Sequence, residues 1–145
     1  MQLSREQLLG RIPHAPPMFL LDAVLRFDET SIVCSASSHR DPGHPMAEEG
    51  TLGAACAVEY ASQAMAAHGA LVRGEHEPAK AGFLVAVRDV LLNRAWLHTL
   101  SADLLIEANR VVGDEMRVIY EFRVSAGGES IAQGRATVIL NVEAG

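Results

Sequence analysis

The sequence Gly-Thr-Leu-Gly-Ala-Ala-Cys-Ala-Val-Glu-Tyr-Ala-Ser-Gln-Ala-Met-Ala-Ala-His-Gly-Ala-Leu-Val-Arg-Gly, residues 50–74, decides the fold of this chain. Alanine is the best helix former, and eight of these residues are alanine. Apart from the arginine near its C-terminal end, only Glu59 is fully charged at pH 7. A helix without a charged face is a buried helix. The stretch therefore predicts a central helix about 30 Å long, with Thr51 as its N-cap and a glycine at its end.

Six segments outside this helix have the pattern of β-strands. Apolar and polar residues alternate most clearly in the fifth segment, where Met116, Val118 and Tyr120 share one face. Gly127-Gly128 then indicates a hairpin. Late strands with one apolar and one polar face are typical of an antiparallel sheet that has water on one side. The predicted strands are residues 18–27, 31–38, 81–92, 100–110, 115–124 and 131–142.

The order of these elements predicts an α+β domain of the hotdog type. A short helix over residues 4–9, which begins after Ser4, and two strands precede the central helix, and about four antiparallel strands follow it. No helices alternate with the late strands, which disfavours a doubly wound parallel sheet. An antiparallel sheet wrapped around one long central helix fits the order. The length of 145 residues predicts a single domain, residues 1–145.

The composition argues against several functions. A net charge of −6 disfavours a nucleic-acid binder, which needs a basic face. Cys34 and Cys56 form no Cys-x-x-Cys pair, and no His-x-x-x-His pair or acidic cluster has metal-ligand spacing, so no metal site is expected. Two buried free thiols suit the cytoplasm. The first residues lack the apolar run of a signal peptide, and Glu59 makes the central helix a poor membrane span.

Glu59 is the first candidate for chemistry. A carboxylate flanked by alanine, cysteine and valine is costly to keep ionised without partners. Burial would raise its pKa and suit it to general acid catalysis. Ser62 and Gln63 are close enough along the helix to contact it. The alternative interpretation is that Glu59 marks the one solvent-facing stripe of the helix.

His44 and the start of the helix are the other candidates. His44 lies in a rigid loop rich in proline and glycine, and histidine is the usual general base near neutral pH. It can equally be an ordinary surface residue. The amides near Gly53 and Ala54 are expected to be free donors that polarise a thioester carbonyl, unless Thr51 simply caps them. His68 is predicted to face away from Glu59, and His14 to fix local turns; the remaining histidines are expected in surface loops: His39, His76 and His98.

Three segments resemble the 3-hydroxyacyl-(acyl carrier protein) dehydratases of the hotdog fold. Residues 12–22, Ile-Pro-His-Ala-Pro-Pro-Met-Phe-Leu-Leu-Asp, are similar to the opening motif of that family. Residues 59–64, Glu-Tyr-Ala-Ser-Gln-Ala, resemble its central-helix motif, and residues 81–84, Ala-Gly-Phe-Leu, its following strand. The likeness spans roughly residues 4–142. The helix from Val58 to His68 resembles most the dehydratase-like branch of aryl polyene clusters.

The resemblance implies an activity and roles for the candidate residues. His44 would remove the α-proton of a 3-hydroxyacyl thioester, and Glu59 of a second subunit would protonate the departing hydroxyl, which gives the trans-2-enoyl thioester. Amides near Gly53 and Ala54 would hold the thioester oxygen, and Gln63 would help to bind the substrate. The family's His-Phe-Pro-Gly reads His-Pro-Met-Ala here, and His44 stands 15 residues before Glu59, one more than usual.

The resemblance also implies partners. The substrate would be carried by acyl carrier protein or coenzyme A, in fatty-acid, polyketide or aryl polyene synthesis. No cofactor is required, because the thioester already acidifies the α-proton. The chain would form a homodimer, or a heterodimer or higher assembly of hotdog subunits, without nucleic acid or membrane. The alternatives are a hotdog thioesterase in which Glu59 activates water, and a partner subunit that has lost catalysis.

Overall fold

The central helix forms from the alanine-rich stretch. The computed structural model describes residues 2–9, 18–73, 82–114 and 116–140. In it a short helix, α1, spans Arg5–Leu9, and the long helix, α2, spans Ala57–Arg73 after a 3₁₀ turn at Ala54–Cys56. Residues 12–17, which include His14, and residues 74–81, which include His76, lie outside the described part.

Thr51 is not the N-cap of this helix. Its hydroxyl donates to the Glu48 carbonyl oxygen at 2.6 Å, which closes a turn before the helix. Gly53 is the residue that precedes the 3₁₀ turn, and it offers no side-chain cap. The start lies later than predicted because the backbone around Gly53 first pairs with the loop at Trp96.

One seven-stranded antiparallel sheet supplies the rest of the fold and confirms the hotdog prediction. The strands are β1 Leu3–Ser4, β2 Ala23–Phe27, β3 Ser31–Ala36, β4 Gly82–Leu92, β5 Leu104–Gly113, β6 Arg117–Ala126 and β7 Glu129–Leu140. Their spatial order is β1-β2-β3-β5-β6-β7-β4, and each strand is antiparallel to its neighbour. The hairpin at Gly127-Gly128, where both φ angles are positive, joins β6 and β7.

The first long strand is shorter than predicted. Residues 18–22 precede β2 as extended or irregular chain. Side chains satisfy their backbone instead: the Arg5 guanidinium donates to the carbonyl oxygens of Phe19 and Leu21, and the Gln63 amide bonds Met18 and Leu20. Apolar composition alone could not reveal these partners.

Small side chains let α2 lie close to the sheet. Ala57, Ala61 and Ala64 are fully buried on the helix, and α2 contacts β3, β5 and β6. His68 ties the helix to its surroundings from within the core. Its Nε2–H donates to the Asp28 carbonyl oxygen at 2.9 Å, and its Nδ1 lies 2.7 Å from the Tyr120 hydroxyl. His68 thus makes structural contacts in the core.

Strand β4 forms one edge of the sheet. Every residue from 84 to 92 is exposed in the single chain. An apolar edge strand with unpaired backbone groups is a site for pairing with another chain. Its exposed apolar residues are Leu84, Val85, Val87, Val90, Leu91 and Leu92. None of the helices among the described residues has the length and hydropathy needed to cross a membrane.

Candidate active site

A buried glutamine holds the carboxylate of Glu59. Glu59 is half-buried near the start of α2, and its Oε2 accepts a hydrogen bond from Gln63 Nε2 at 2.8 Å. Gln63 is fully buried, and its Nε2 also donates to the Met18 carbonyl oxygen at 2.7 Å. Its Oε1 accepts the Leu20 N–H at 2.8 Å. Both amide hydrogens are used inside the chain, so the predicted direct contact of Gln63 with a substrate has no free N–H in this structure.

His44 is buried rather than on the surface. Only 5% of the residue is exposed. Its Nδ1 accepts the Met46 N–H at 3.0 Å, and its Nε2 lies 3.2 Å from the Tyr60 hydroxyl. Burial lowers the pKa of His44, and the charge of Asp41 opposes this shift in part. The ring is therefore neutral at pH 7, with its proton on Nε2.

Tyr60 and Ser38 extend this contact through the core. The Tyr60 hydroxyl lies 2.6 Å from Ser38 Oγ, and Ser38 Oγ donates to the Leu20 carbonyl oxygen at 2.8 Å. Ser38 has one hydroxyl hydrogen, so Tyr60 must donate to Ser38 and accept from His44 Nε2–H. Burial raises the pKa of Tyr60 to about 12, which keeps its hydroxyl protonated.

Two hydrogen-bond chains meet at Leu20. Its carbonyl oxygen ends the chain from His44, and its N–H binds the amide that holds Glu59. Among the described residues no hydrogen bond joins His44 to Glu59 directly. The structure therefore relates the two candidate residues through the backbone of one segment, between β1 and β2.

The amides at the start of the helix differ in availability. The Ala54 N–H donates to the Ala95 carbonyl oxygen at 2.9 Å, so it is not the free donor that the sequence predicted. Pairing between residues 52–54 and 95–97 is the reason. The Gly53 N–H has no hydrogen-bond acceptor in the part of the chain that the structure describes. Gly53 thus keeps the donor that the predicted thioester contact needs.

Two histidines that were predicted in surface loops have structural contacts. His39 is buried, and its Nε2–H donates to the Leu100 carbonyl oxygen at 3.1 Å. His98 Nδ1 accepts the Leu52 N–H at 3.0 Å. The prediction was wrong for His39, because the loop after β4 packs against it, a long-range contact without a sequence signature. His98 does lie in a loop, where it is half-buried. Burial, followed by the charge of Glu59, raises the pKa of the Cys56 thiol, so Cys56 is not an activated nucleophile.

Sequence reasoning missed Tyr60 and Ser38. A signal for Tyr60 was present, because a tyrosine in a stripe of buried alanines needs a hydrogen-bond partner for its hydroxyl. Ser38 had no such signal. It lies two residues beyond β3, in a short 3₁₀ turn, and only the fold places it against Tyr60.

Three buried histidines are expected to make folding stability depend on pH. Burial lowers the pKa values of His39, His44 and His68 in the folded chain below the ordinary value of 6.5. Between the folded and unfolded pKa values the unfolded chain binds more protons, so the free energy of unfolding falls as the pH falls through 6.5. Urea unfolding at pH 7.5 and pH 5.5 measures this loss. His68→Gln should make the dependence shallower, and an unchanged slope in that variant would contradict the assignment.

Comparisons with known proteins agree with the fold. The chain is 25% identical to a chain of the dehydratase heterocomplex ApeI:P from Xenorhabdus doucetiae, with a TM-score of 0.83 over 94% of this chain and 91% of that chain. A mutant thioesterase from Pseudomonas aeruginosa is similar in fold, with 17% identity, a TM-score of 0.69 and coverage of 96% and 94%. A thioesterase from Haemophilus influenzae gives 15% identity, a TM-score of 0.69 and coverage of 98% and 94%.

Comparison with curated protein sequences gave no match. The family model of the ApeP-like proteins, described as ApeP dehydratase, matches residues 7–144. That match covers nearly the whole chain, and the chain therefore belongs to the ApeP-like dehydratase family.

Proposed function

We propose that this dehydratase removes water from a 3-hydroxyacyl thioester and yields the trans-2-enoyl thioester. One observation supports this most directly: a half-buried carboxylate, Glu59, is held by the buried amide of Gln63 beside the start of the central helix. A carboxyl group oriented in this way can, in its acid form, deliver a proton to a leaving hydroxyl. The chain is proposed to act as one hotdog domain in the cytoplasm, where its free thiols Cys34 and Cys56 are stable.

The proposed reaction divides acid and base between two residues. His44 takes the α-proton from C2, the electron pair of that bond forms the C2–C3 double bond, and the C3–O bond breaks. Glu59 gives its proton to the departing hydroxyl, which leaves as water. The Gly53 N–H donates to the thioester oxygen as negative charge develops there. His44 accepts the proton at Nδ1, so the Met46 amide must move away and leave this lone pair to the substrate, while Nε2–H stays on Tyr60.

The edge strand β4 supports a dimeric enzyme. Its exposed apolar side chains and unpaired edge would be covered by a second hotdog subunit. We propose a second copy of this chain as that subunit. A related hotdog chain is the alternative, because the similar structure from Xenorhabdus doucetiae is a heterocomplex. In either case Glu59 of one subunit would work with His44 of the other.

Acyl carrier protein is the proposed carrier of the substrate, and the pathway is proposed to be aryl polyene, polyketide or fatty-acid synthesis. The support is the family: the structure that resembles this chain at 25% identity is the ApeI:P dehydratase complex. A coenzyme A thioester is the alternative carrier. Comparing turnover of the same acyl group on the two carriers distinguishes them.

Mass spectrometry of a 3-hydroxyacyl thioester incubated with the wild-type chain tests the proposed function. Loss of one water from the substrate is expected, and this loss should be absent with His44→Ala. Release of free thiol and free acid would identify a thioesterase instead. Turnover only with a second hotdog subunit would identify a heterodimer. If that turnover persisted with both His44→Ala and Glu59→Gln, the chain would be a partner subunit that has lost catalysis.

A charge on the edge strand is expected to separate the dimer. Val85 is 54% exposed on β4, and Val85→Glu would place an unpaired carboxylate in the proposed interface. Val112→Glu is a matched control, because Val112 is 57% exposed at the far end of β5. Light scattering after size-exclusion chromatography should show a monomer without activity for Val85→Glu and an active dimer for Val112→Glu. Dimers in both variants would exclude β4 as the interface.

A further inference from the structure

Tyr60 lies in the candidate site but has no role in the proposed reaction as described above. It is fully buried on α2, one position beyond Glu59, and its hydroxyl lies between His44 Nε2 and Ser38 Oγ. A buried tyrosine hydroxyl needs hydrogen-bond partners, but a backbone carbonyl would satisfy it as well. Here one partner is the candidate base, His44, and the other is Ser38, which contacts the segment at residues 18–20.

The directions of the hydrogen bonds follow from the chemistry of each group. Ser38 donates to a carbonyl oxygen, so it accepts from Tyr60; Tyr60 has then used its hydrogen and accepts from His44 Nε2–H. The Met46 N–H can only donate, so it requires an unprotonated Nδ1 on His44. This agrees with a proton on Nε2. The two ends of the network thus specify the same tautomer of His44.

We infer that Tyr60 is the positioning residue that fixes the reactive tautomer of His44, with Ser38 and the Leu20 carbonyl oxygen as its support. This rests on the proposed function, in which His44 is the base. With the proton held on Nε2, the lone pair that accepts the α-proton is the one on Nδ1. When Nδ1 takes that proton the ring becomes positive, and the hydrogen bond from Nε2–H to Tyr60 strengthens. Tyr60 therefore stabilises the protonated base that forms during the reaction.

Few charged groups among the described residues act on His44 and Tyr60. Asp41 is the charged group that acts on His44, and it favours the protonated ring. Asp22 and Cys56 are the titratable groups that act on Tyr60, and both favour its neutral hydroxyl. Among the described residues, the neutral Tyr60 hydroxyl is thus the group that orients Nε2 of His44.

A second histidine–tyrosine pair provides a matched control. His68 Nδ1 lies 2.7 Å from the Tyr120 hydroxyl in the core, in a pair that is separate from the proposed reaction. Tyr60→Phe and Tyr120→Phe each remove one buried hydroxyl that contacts a histidine. A merely structural role for Tyr60 would give the two variants similar activity and similar pH profiles.

The experiment measures kcat and the pH profile of kcat/KM for both variants, together with ¹⁵N NMR spectra of the His44 ring. In the wild type we expect the Nε2–H tautomer. Tyr60→Phe should lose this single tautomer, lower kcat by about 10- to 100-fold and move the acid limb of the profile to lower pH, since the charged ring loses an acceptor. Ser38→Ala should change the same quantities in the same direction, by less. Tyr120→Phe should leave kcat and the acid limb unchanged.

The outcomes separate this inference from the proposed function. Equal kcat and equal pH profiles for Tyr60→Phe and Tyr120→Phe would overturn the role of Tyr60, provided that the wild type dehydrates its substrate. Absence of dehydration by the wild type would refute the proposed function, and the NMR spectra would then decide the inference alone. A His44 tautomer that is unchanged in Tyr60→Phe overturns it, and a lost tautomer supports it. If Tyr60→Phe does not fold, Ser38→Ala gives the same readouts.

Discussion

Glu59→Gln is expected to lower kcat by about 10²- to 10⁴-fold, the usual contribution of a general acid. The amide has nearly the same size and shape as the carboxylic acid but has no acidic proton for the departing hydroxyl. Its side-chain oxygen can still accept the hydrogen bond that Glu59 Oε2 receives from Gln63. The variant should therefore fold like the wild type while water elimination stops. Quenched-flow mass spectrometry of the 3-hydroxyacyl and enoyl thioesters measures the rate.

Ser62→Ala is the control for this substitution. Ser62 is half-buried three residues further along α2, and its hydroxyl donates only to the backbone carbonyl oxygen of Glu59, at 3.1 Å. Its removal leaves the carboxyl group and Gln63 in place, so kcat should stay within about threefold of the wild type. A threefold change in kcat corresponds to about 0.7 kcal/mol in activation free energy. A Glu59→Gln variant that is as active as Ser62→Ala would remove Glu59 from the proposed mechanism.

The sequence was sufficient for the fold because the fold depends on periodic features. The alanine-rich helix without a charged face has one stable location, the core, and alternating strands have one stable face toward it. The short helix could also be predicted: the Ser4 N–H donates to Gln7 Oε1 at 2.9 Å, which is part of the capping pattern in its sequence. Helix and strand ends were less predictable, since tertiary hydrogen bonds such as those of Thr51 set them.

The candidate site could be predicted only in part. Glu59 was recognisable, because a single carboxylate in a buried helix is unusual. The environment of His44 was not, because its contacts to Tyr60 and Met46 depend on how the loop before the helix folds. The Ala54 amide illustrates the same limit: its acceptor lies 41 residues away, at Ala95. Pairings of this kind arise from the closed fold and carry no local pattern in the sequence.

Gln63→Leu is expected to produce the largest loss of stability, about 3–5 kcal/mol in the free energy of unfolding. Leucine fills a similar volume but makes none of the three hydrogen bonds of the fully buried amide. The Leu20 N–H would stay buried without an acceptor, and the Met18 carbonyl oxygen and Glu59 would lose a donor. Urea denaturation followed by circular dichroism measures the change.

Gln7→Leu is the matched control for Gln63→Leu. Gln7 also accepts a backbone N–H through Oε1, but it is exposed, and water can replace it. Its loss should therefore cost only about 0.5–1 kcal/mol. The same side chain is removed in both variants, but Gln7 loses one exposed hydrogen bond where Gln63 loses three at a buried site. Equal losses would mean that residues 18–20 are held by Arg5 and the core rather than by Gln63. A much larger loss at Gln63, with Glu59 still present but kcat reduced, would show that one amide both anchors this segment and orients the carboxyl group.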